Sequence, residues 1–338
     1  MSLKQIANEL GLSLTTVSRA MNGYPEVARA TRDAVLAAAA RLGYAPDPRA
    51  RGLALGRADA VGLVFPITPS DLGDALFLAV AAALSTRLAQ AGMDLLIVST
   101  TAGDEVDAYR RAIRGRHIGA FVVPRTRVHD PRLQLLQDQG VPFVAYGRSA
   151  GLAQPYAWLD FDNARGARLA TRRLLELGHR RIAYLGASAQ YNFAALRFGG
   201  FAEAMAEAGL AADPALVLRD ALDRRSGYGA MQRLLASPAP PSAVLIDNHL
   251  AGVGAVHAAL QAGVRLGRDL SIIVYDGLGM DSVIRCAITA VEQPRPEQTG
   301  QLLAELALAR LEGADPATLQ RLCDPQLVPG DSDGPVGA

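Results

Sequence analysis

Residues 3–23 read LKQIANELGLSLTTVSRAMNG, and the spacing of their apolar side chains decides how the chain begins. Leu3, Ile6, Ala7 and Leu10 recur at helical intervals before Gly11 stops the helix. Leu12 and Ser13 form a turn, with Ser13 placed to cap a second helix at roughly 14–22. Val17 and Met21 face inward there, which leaves Leu14, Thr15, Thr16, Ser18, Arg19 and Asn22 on the open side. A third helix is expected at about 31–42, with Val35, Leu36, Ala39 and Leu42 inward and Gly43 as its stop. Two short helices joined by a tight glycine-bearing turn and braced by a third make a helix-turn-helix.

In such a unit the second helix enters the major groove of double-stranded DNA with its N-terminal end against the base edges. Leu14 and Thr15 occupy that end, and Arg19 follows one turn later. Arginine reads guanine through a two-pronged contact, while leucine or threonine methyls touch thymine methyls. Thr16, Ser18 and Asn22 are short polar groups suited to phosphate, which positions a protein without reading sequence. An ordinary helical hairpin with a polar surface fits the spacing alone equally well.

Charge leans the same way. Residues 1–58 carry eight bases against four acids, a net +4, which leaves −3 for the remainder of a chain whose total is +1. A small basic head on a mildly acidic body fits a polyanion-binding module, although a solvated helical face would look similar. Length and composition, at 338 residues and half hydrophobic, suit a globular protein of two or three domains. Cys286 and Cys323 match no metal or redox spacing, no secretory leader opens the sequence, and no apolar run approaches the roughly 18 residues of a membrane span. A cytoplasmic protein is therefore expected.

The string T-V-S-R-x-x-N-G at 16–23 adds specificity. With T-R-D-A-V-L at 31–36, L-G-Y-A-P at 42–46 and P-D-P-R-A-R-G-L-A-L-G-R at 46–57, the head resembles the DNA-binding segment and hinge of LacI/GalR-family regulators. The resemblance extends, more loosely, to about residue 330. It implies a homodimeric repressor whose hinge folds on operator DNA and inserts a leucine wedge, Leu53, with the small Ala50 where two hinges approach each other. Such wedges unstack a base step to bend the duplex. Gly52 departs from the family's usual serine or glutamine and lowers helix propensity by about 1 kcal/mol against alanine.

From residue 59 short apolar runs alternate with helical stretches, the mark of βαβ units. Strands are expected at Val61–Phe65, Asp94–Ser99, Gly119–Val123 and Phe143–Tyr146, then at Ile182–Leu185, Ala243–Ile246 and Ser271–Tyr275. Helices are expected at about 74–91, 105–115, 131–139, 162–177, 194–208, 227–236 and 249–262. Two halves of similar rhythm suggest an α/β body of two lobes, with ligand at the carboxyl ends of the strands. The layout is shared by periplasmic binding proteins and the LacI/GalR effector domain, and the attached head selects the second. The expected division is a head at 1–46, a hinge at 47–58, an effector-binding and dimerisation body at 59–328 and a flexible tail at 329–338. Within the body, lobe 1 takes about 59–160 and 291–325, and lobe 2 about 161–290.

The same resemblance nominates effector contacts. Arg197 lies in A-L-R-F-G-G-F, Asn248 opens N-H-L-A-G-V-G, Asp276 closes S-I-I-V-Y-D and Gln293 sits in T-A-V-E-Q-P. His249 stands where the family usually has aspartate, which puts the local network in doubt. Phe77 offers either a sugar-stacking face or core packing. Arg125 in P-R-T-R-V-H-D-P-R and Arg148 in Y-G-R resemble the α-glucoside repressors; ion pairs with Asp130 or Asp160 would also explain them. Asp160 is a further acceptor, beside Trp158. Arginine, aspartate and asparagine near an aromatic wall suit a neutral mono- or oligosaccharide, with a phosphorylated sugar as the second choice.

Enzyme signatures are missing from the sequence. Its five histidines show no H-E-x-x-H spacing, and neither G-x-S-x-G nor a P-loop occurs. Asp162, two residues after Asp160, reads as a helix cap rather than an acid–base partner. No metal or cofactor is expected.

Overall fold

A computed structural model of the chain describes residues 3–21, 23–44, 59–66, 74–100, 103–278, 284 and 286–337. The expected hinge, with Ala50 and Leu53, lies outside the described residues, as does Asn22. By contacts the chain divides into a head and a body.

The head is three helices, α1 (Leu3–Leu10), α2 (Leu14–Met21) and α3 (Arg29–Arg41). Gly11 turns the chain with φ of 64°, where a side chain would be strained. Ser13 Oγ then accepts from Thr16 N at 3.0 Å, which caps α2 as the sequence suggests. Ile6, Ala7, Val17, Ala20, Val27, Val35, Ala38 and Ala39 form the core. Arg32 stitches the α2–α3 connection by donating from Nη2 to the carbonyl of Tyr24 at 2.8 Å. Leu36, expected inside, is 46% exposed. The buried stripe of α3 runs through Val35, Ala38 and Ala39, and Leu36 sits about 100° around the helix from it.

The body holds two sheets of six strands among the described residues. Its elements follow in chain order: β1 (Ala60–Pro66), α4 (Ala75–Gln90), β2 (Asp94–Thr100), α5 (Glu105–Gly115), β3 (Ile118–Val123), α6 (Pro131–Asp138), β4 (Phe143–Tyr146), β5 (Ala157–Phe161), α7 (Asn163–Glu176), β6 (Ile182–Leu185), α8 (Asn192–Glu207) and β7 (Val217–Leu218). They continue as α9 (Arg224–Leu235), β8 (Ala243–Ile246), α10 (His249–Gln261), β9 (Ser271–Tyr275), β10 (Thr289–Glu292), α11 (Pro296–Leu311), β11 (Gln320–Cys323) and β12 (Gln326–Val328).

The first sheet runs β11-β5-β4-β3-β1-β2 and the second β12-β10-β9-β8-β6-β7. All pairings are parallel except β10 with β12. Strands β2-β1-β3-β4-β5 and β7-β6-β8-β9-β10 share one order, so the two lobes repeat one doubly wound design. Every residue of β6, β8 and β9 is buried, as strands covered by helices on both faces must be. In each lobe one hydrophobic cluster lies on either side of the sheet.

The chain crosses between sheets three times: after β5, after β10 and after β11. Strand β10 belongs to the second sheet, so the return to lobe 1 begins with α11, which packs on α4. The third crossing corrects the expected flexible tail. Residues 326–337 return to lobe 2 and pack there. Ser332 is fully buried; its Oγ donates to Ile272 O at 2.6 Å and accepts from Thr289 N at 2.9 Å. Asp333 pairs with Arg173 Nε at 2.8 Å and accepts from Thr289 Oγ1. Gly334 comes so near Gly267 that an added Cβ would lie 2.1 Å from its carbonyl oxygen. Glycine, serine and aspartate read as tail composition, but here they are small polar groups bonding a peptide onto a sheet margin.

Candidate functional site

Helix α2 presents Leu14, 50% exposed, with Thr15 and Arg19 also open. Thr16 and Ser18 are half-buried, and the Thr16 hydroxyl is 2.8 Å from Ser13 Oγ. Arg19 faces Glu26 loosely, at 3.8 Å with both side chains half exposed, so little holds the guanidinium back from another acceptor.

In each sheet of the body the strand order reverses beside the first strand of the lobe, at β1/β3 and β6/β8. In open α/β sheets ligands bind beyond the carboxyl ends of the strands at such points. A cavity of about 500 Å³ lies there, lined from both lobes. That size falls in the range of roughly 300–1,000 Å³ that encloses small ligands. Seven of the eight nominated residues line it: Phe77, Arg125, Asp160, Arg197, Asn248, Asp276 and Gln293.

Arg148 does not line it. Its Nε donates to Asp160 Oδ2 at 2.7 Å and its guanidinium covers Trp158, 5.4 Å from the ring centre. Asp160 is 2% exposed and also accepts from Phe161 N at 2.8 Å and Asn163 Nδ2 at 3.1 Å. This corner is an internally satisfied network, so the ion-pair reading of Arg148 holds. Trp158 packs within lobe 1.

Arg197, in the second turn of α8, is buried and clamped. Its Nε donates to Asn163 Oδ1 at 2.7 Å, Nη1 donates to the Asp247 carbonyl, and Phe193 and Tyr275 lie 5.0 and 3.7 Å from the guanidinium carbon. Asp247 is fully buried; desolvation raises its carboxyl, against the opposing charge of Arg197 and bonds from Asn248, Ala187 N and Tyr184. Asn248 caps α10 by accepting from Ala251 N at 2.9 Å, and its amide donates to Ala221 O and Asp247. Its polar atoms are thus engaged internally, which makes it a wall and a positioning residue. Asp162 caps α7, accepting from Arg165 N at 3.0 Å.

Asp276 projects from the end of β9 with φ of 60°. Desolvation raises its carboxyl above the ordinary range, opposed by the charges of Arg197 and His249. Gln293 Nε2 donates to it at 3.3 Å. Phe77 stacks on Phe65 at 4.4 Å and 15°, and Arg125 covers the other ring, 4.6 Å from the Phe65 centroid. Phe77 therefore packs and lines the cavity at once. Arg125 lies 3.9 Å from Asp74, while Asp130 pairs with Arg132 and Asp160 with Arg148.

Asp74 is a cavity residue that the sequence did not single out. It caps α4 by accepting from Phe77 N at 3.0 Å, and its Oδ1 is 3.0 Å from His249 Nε2 on the other lobe. Burial pushes its carboxyl up, but the bond and charge of His249, with Phe77 N and Arg125, bring it below the ordinary value. The signal that could have found it is the D-A-L-F string at 74–77, an aspartate just before an apolar helix. Tyr146, Asn163 and Phe193 also line the cavity without having been nominated. Gly147 leaves β4 with φ of 110°, where a Cβ would strike Thr126 Oγ1 at 2.3 Å.

Comparison with known proteins agrees with both units. Residues 2–47 match the model of bacterial regulatory proteins of the lacI family, and residues 171–332 match a periplasmic binding protein-like domain. The chain is 39% identical over 334 residues to the HTH-type transcriptional regulator RafR of Escherichia coli, covering 98% of each chain. It is 40% identical over 275 residues to the regulator AglR of Rhizobium meliloti strain 1021, covering 81% of this chain and 77% of that one. A solved complex of the transcriptional regulator CelR with cellobiose matches at 29% identity and a TM-score of 0.74, covering 98% of this chain and 99% of the other. A helix-turn-helix head, a two-lobed body with a cavity between its sheets, and end-to-end likeness to these regulators lead to one conclusion: the chain belongs to the lacI family, as a DNA-binding transcription regulator under effector control.

Proposed function

We propose that the effector is a neutral oligosaccharide bound in the cavity of the body, and that its binding releases operator DNA. The carrying observation is the balance of the cavity wall. Asp74, Asp160, Asp276 and Glu292 stand against Arg125, Arg197 and Arg295, among the rings of Phe65, Phe77 and Phe193. Carboxylates and guanidinium groups in near balance receive hydroxyls as acceptors and donors, and aromatic faces suit the apolar side of a sugar ring. A phosphorylated ligand would ask for an excess of positive charge, which this wall lacks. Cellobiose in the CelR structure supports the sugar class.

In this reading Arg197 and Asp276 hold the sugar, with Gln293 orienting Asp276 and Phe77 and Arg125 forming the facing wall. Asp160 and Asn248 shape the cavity, and Arg148 keeps Asp160 in place. The regulator acts as a homodimer in the cytoplasm, with two copies of α2 in successive major grooves and paired Leu53 wedges between them. Effector works only by favouring the conformation that holds DNA poorly, since equal affinity for both would shift nothing.

Calorimetry of the full chain against mono-, di- and trisaccharides tests the ligand, and a mobility-shift titration with the same panel tests the response. Saturable binding of a sugar that weakens the operator complex is expected. A sugar that tightens the complex would make it a corepressor, and binding of phosphorylated sugars alone would overturn the neutral class.

A further inference from the structure

Among the described residues, and away from the crossover connections, two sets of bonds run from the loops of lobe 1 to those of lobe 2. One is main-chain: Asn192 N donates to Thr126 O and Val128 N donates to Gln190 O, both at 2.9 Å, around a bridge between Arg127 and Tyr191. The other is a single side-chain contact, Asp74 Oδ1 to His249 Nε2 at 3.0 Å. Asp74 is 5% exposed at the cap of α4, and His249 is the first residue of α10. An ionised carboxylate only accepts, so Nε2 of His249 carries the proton.

The geometry gives this contact a mechanical meaning. Each partner is fixed at a helix terminus, one at the edge of each lobe, and both border the cavity. Capping fixes the Asp74 rotamer through Phe77 N, and Arg125 at 3.9 Å adds an attractive charge. Separating the lobes would leave the buried carboxylate without its histidine partner, and a hydrogen bond to a charged group is among the stronger ones a protein makes.

We propose that Asp74 and His249 form a latch across the cleft, which holds the lobes together and so sets effector affinity through closure. The latch is a property of the protein alone; only its consequence for affinity rests on the effector reading.

Inter-lobe distance in the full chain, measured by electron spin resonance without ligand, tests the latch. Nitroxide labels go on R111C of α5 and R233C of α9, both exposed positions, in a C286S/C323S background. Asp74→Ser retains a capping oxygen but falls short of His249, and His249→Ala removes the other partner. Each variant should raise the open population by about tenfold or more, as loss of one charge-assisted hydrogen bond would. The double variant should match the single ones, because all three lose the same bond. His249→Gln, which replaces the donor, should restore closure. Thermal melting identifies any variant that is simply misfolded. An unchanged distance distribution in the folded single variants would overturn the latch, as would a double variant that opens by the sum of both. These outcomes stand whether or not any sugar binds.

Discussion

The guanidinium carbon of Arg197 lies 3.7 Å from the ring centre of Tyr275, so the last aromatic of β9 supports the cation at the start of α8. The Tyr275 hydroxyl donates to Asn163 O at 2.7 Å, and Asn163 Oδ1 accepts from Arg197 at 2.7 Å. Three elements, β9, α7 and α8, thereby fix one guanidinium at the cavity wall. Burial raises the Tyr275 phenol well above its ordinary range, so it stays protonated and neutral beside the arginine.

Arg197→Lys should lower effector affinity by at least about tenfold, because an ammonium keeps the charge but loses the planar fork. Operator affinity without effector should change less than about twofold, since the head is a separate unit. Calorimetry and mobility shift on the same preparation decide it; parallel loss of both would indicate a folding role.

Asp276→Asn should preserve the fold and weaken sugar binding by about tenfold or more. Asparagine tolerates the left-handed backbone of this position, so only the charged acceptor is removed. Unchanged binding of every sugar that the parent binds would take Asp276 out of the site.

Arg19→Ala should cost about 1–3 kcal/mol of discrimination at one base pair of each operator half-site, while a phosphate contact would weaken all sequences alike. A competition panel of singly substituted operators separates the two.

The packed C-terminal stretch should make stability depend on pH. His179 is 2% exposed; Nε2 donates to Gly334 O at 3.0 Å, and Nδ1 lies 2.9 Å from the Ser242 hydroxyl. Burial lowers its pKa below the ordinary 6.5, partly opposed by Gly334 and Asp333. The unfolded chain thus binds the proton first on acidification. Stability is full above about pH 6.5 and falls as pH drops toward the lower folded value. Melting temperatures at pH 7.5 and 5.5 should differ more in the parent than in His179→Gln.

The sequence by itself determined the local structure and the chemistry of its signature strings. Apolar spacing and a capping serine suffice for the head, because a helix-turn-helix closes within about forty consecutive residues. Continuous apolar runs likewise located most strands of the body, and strings resembling the family's pointed to Arg197 in a helix and Asp276 at a strand end. Short or partly polar strands were harder: β11 and β12 carry little hydrophobic signal because they lie at sheet margins. Tertiary structure decided the rest. Whether Arg148 faces a ligand or Asp160, and whether 329–337 hangs free or closes lobe 2, depends on partners that only packing brings together. Asp74 meets His249 across 175 residues, and no periodicity encodes that distance. A side chain's type sets what it can bond; only the packing of two lobes decides which group it finds.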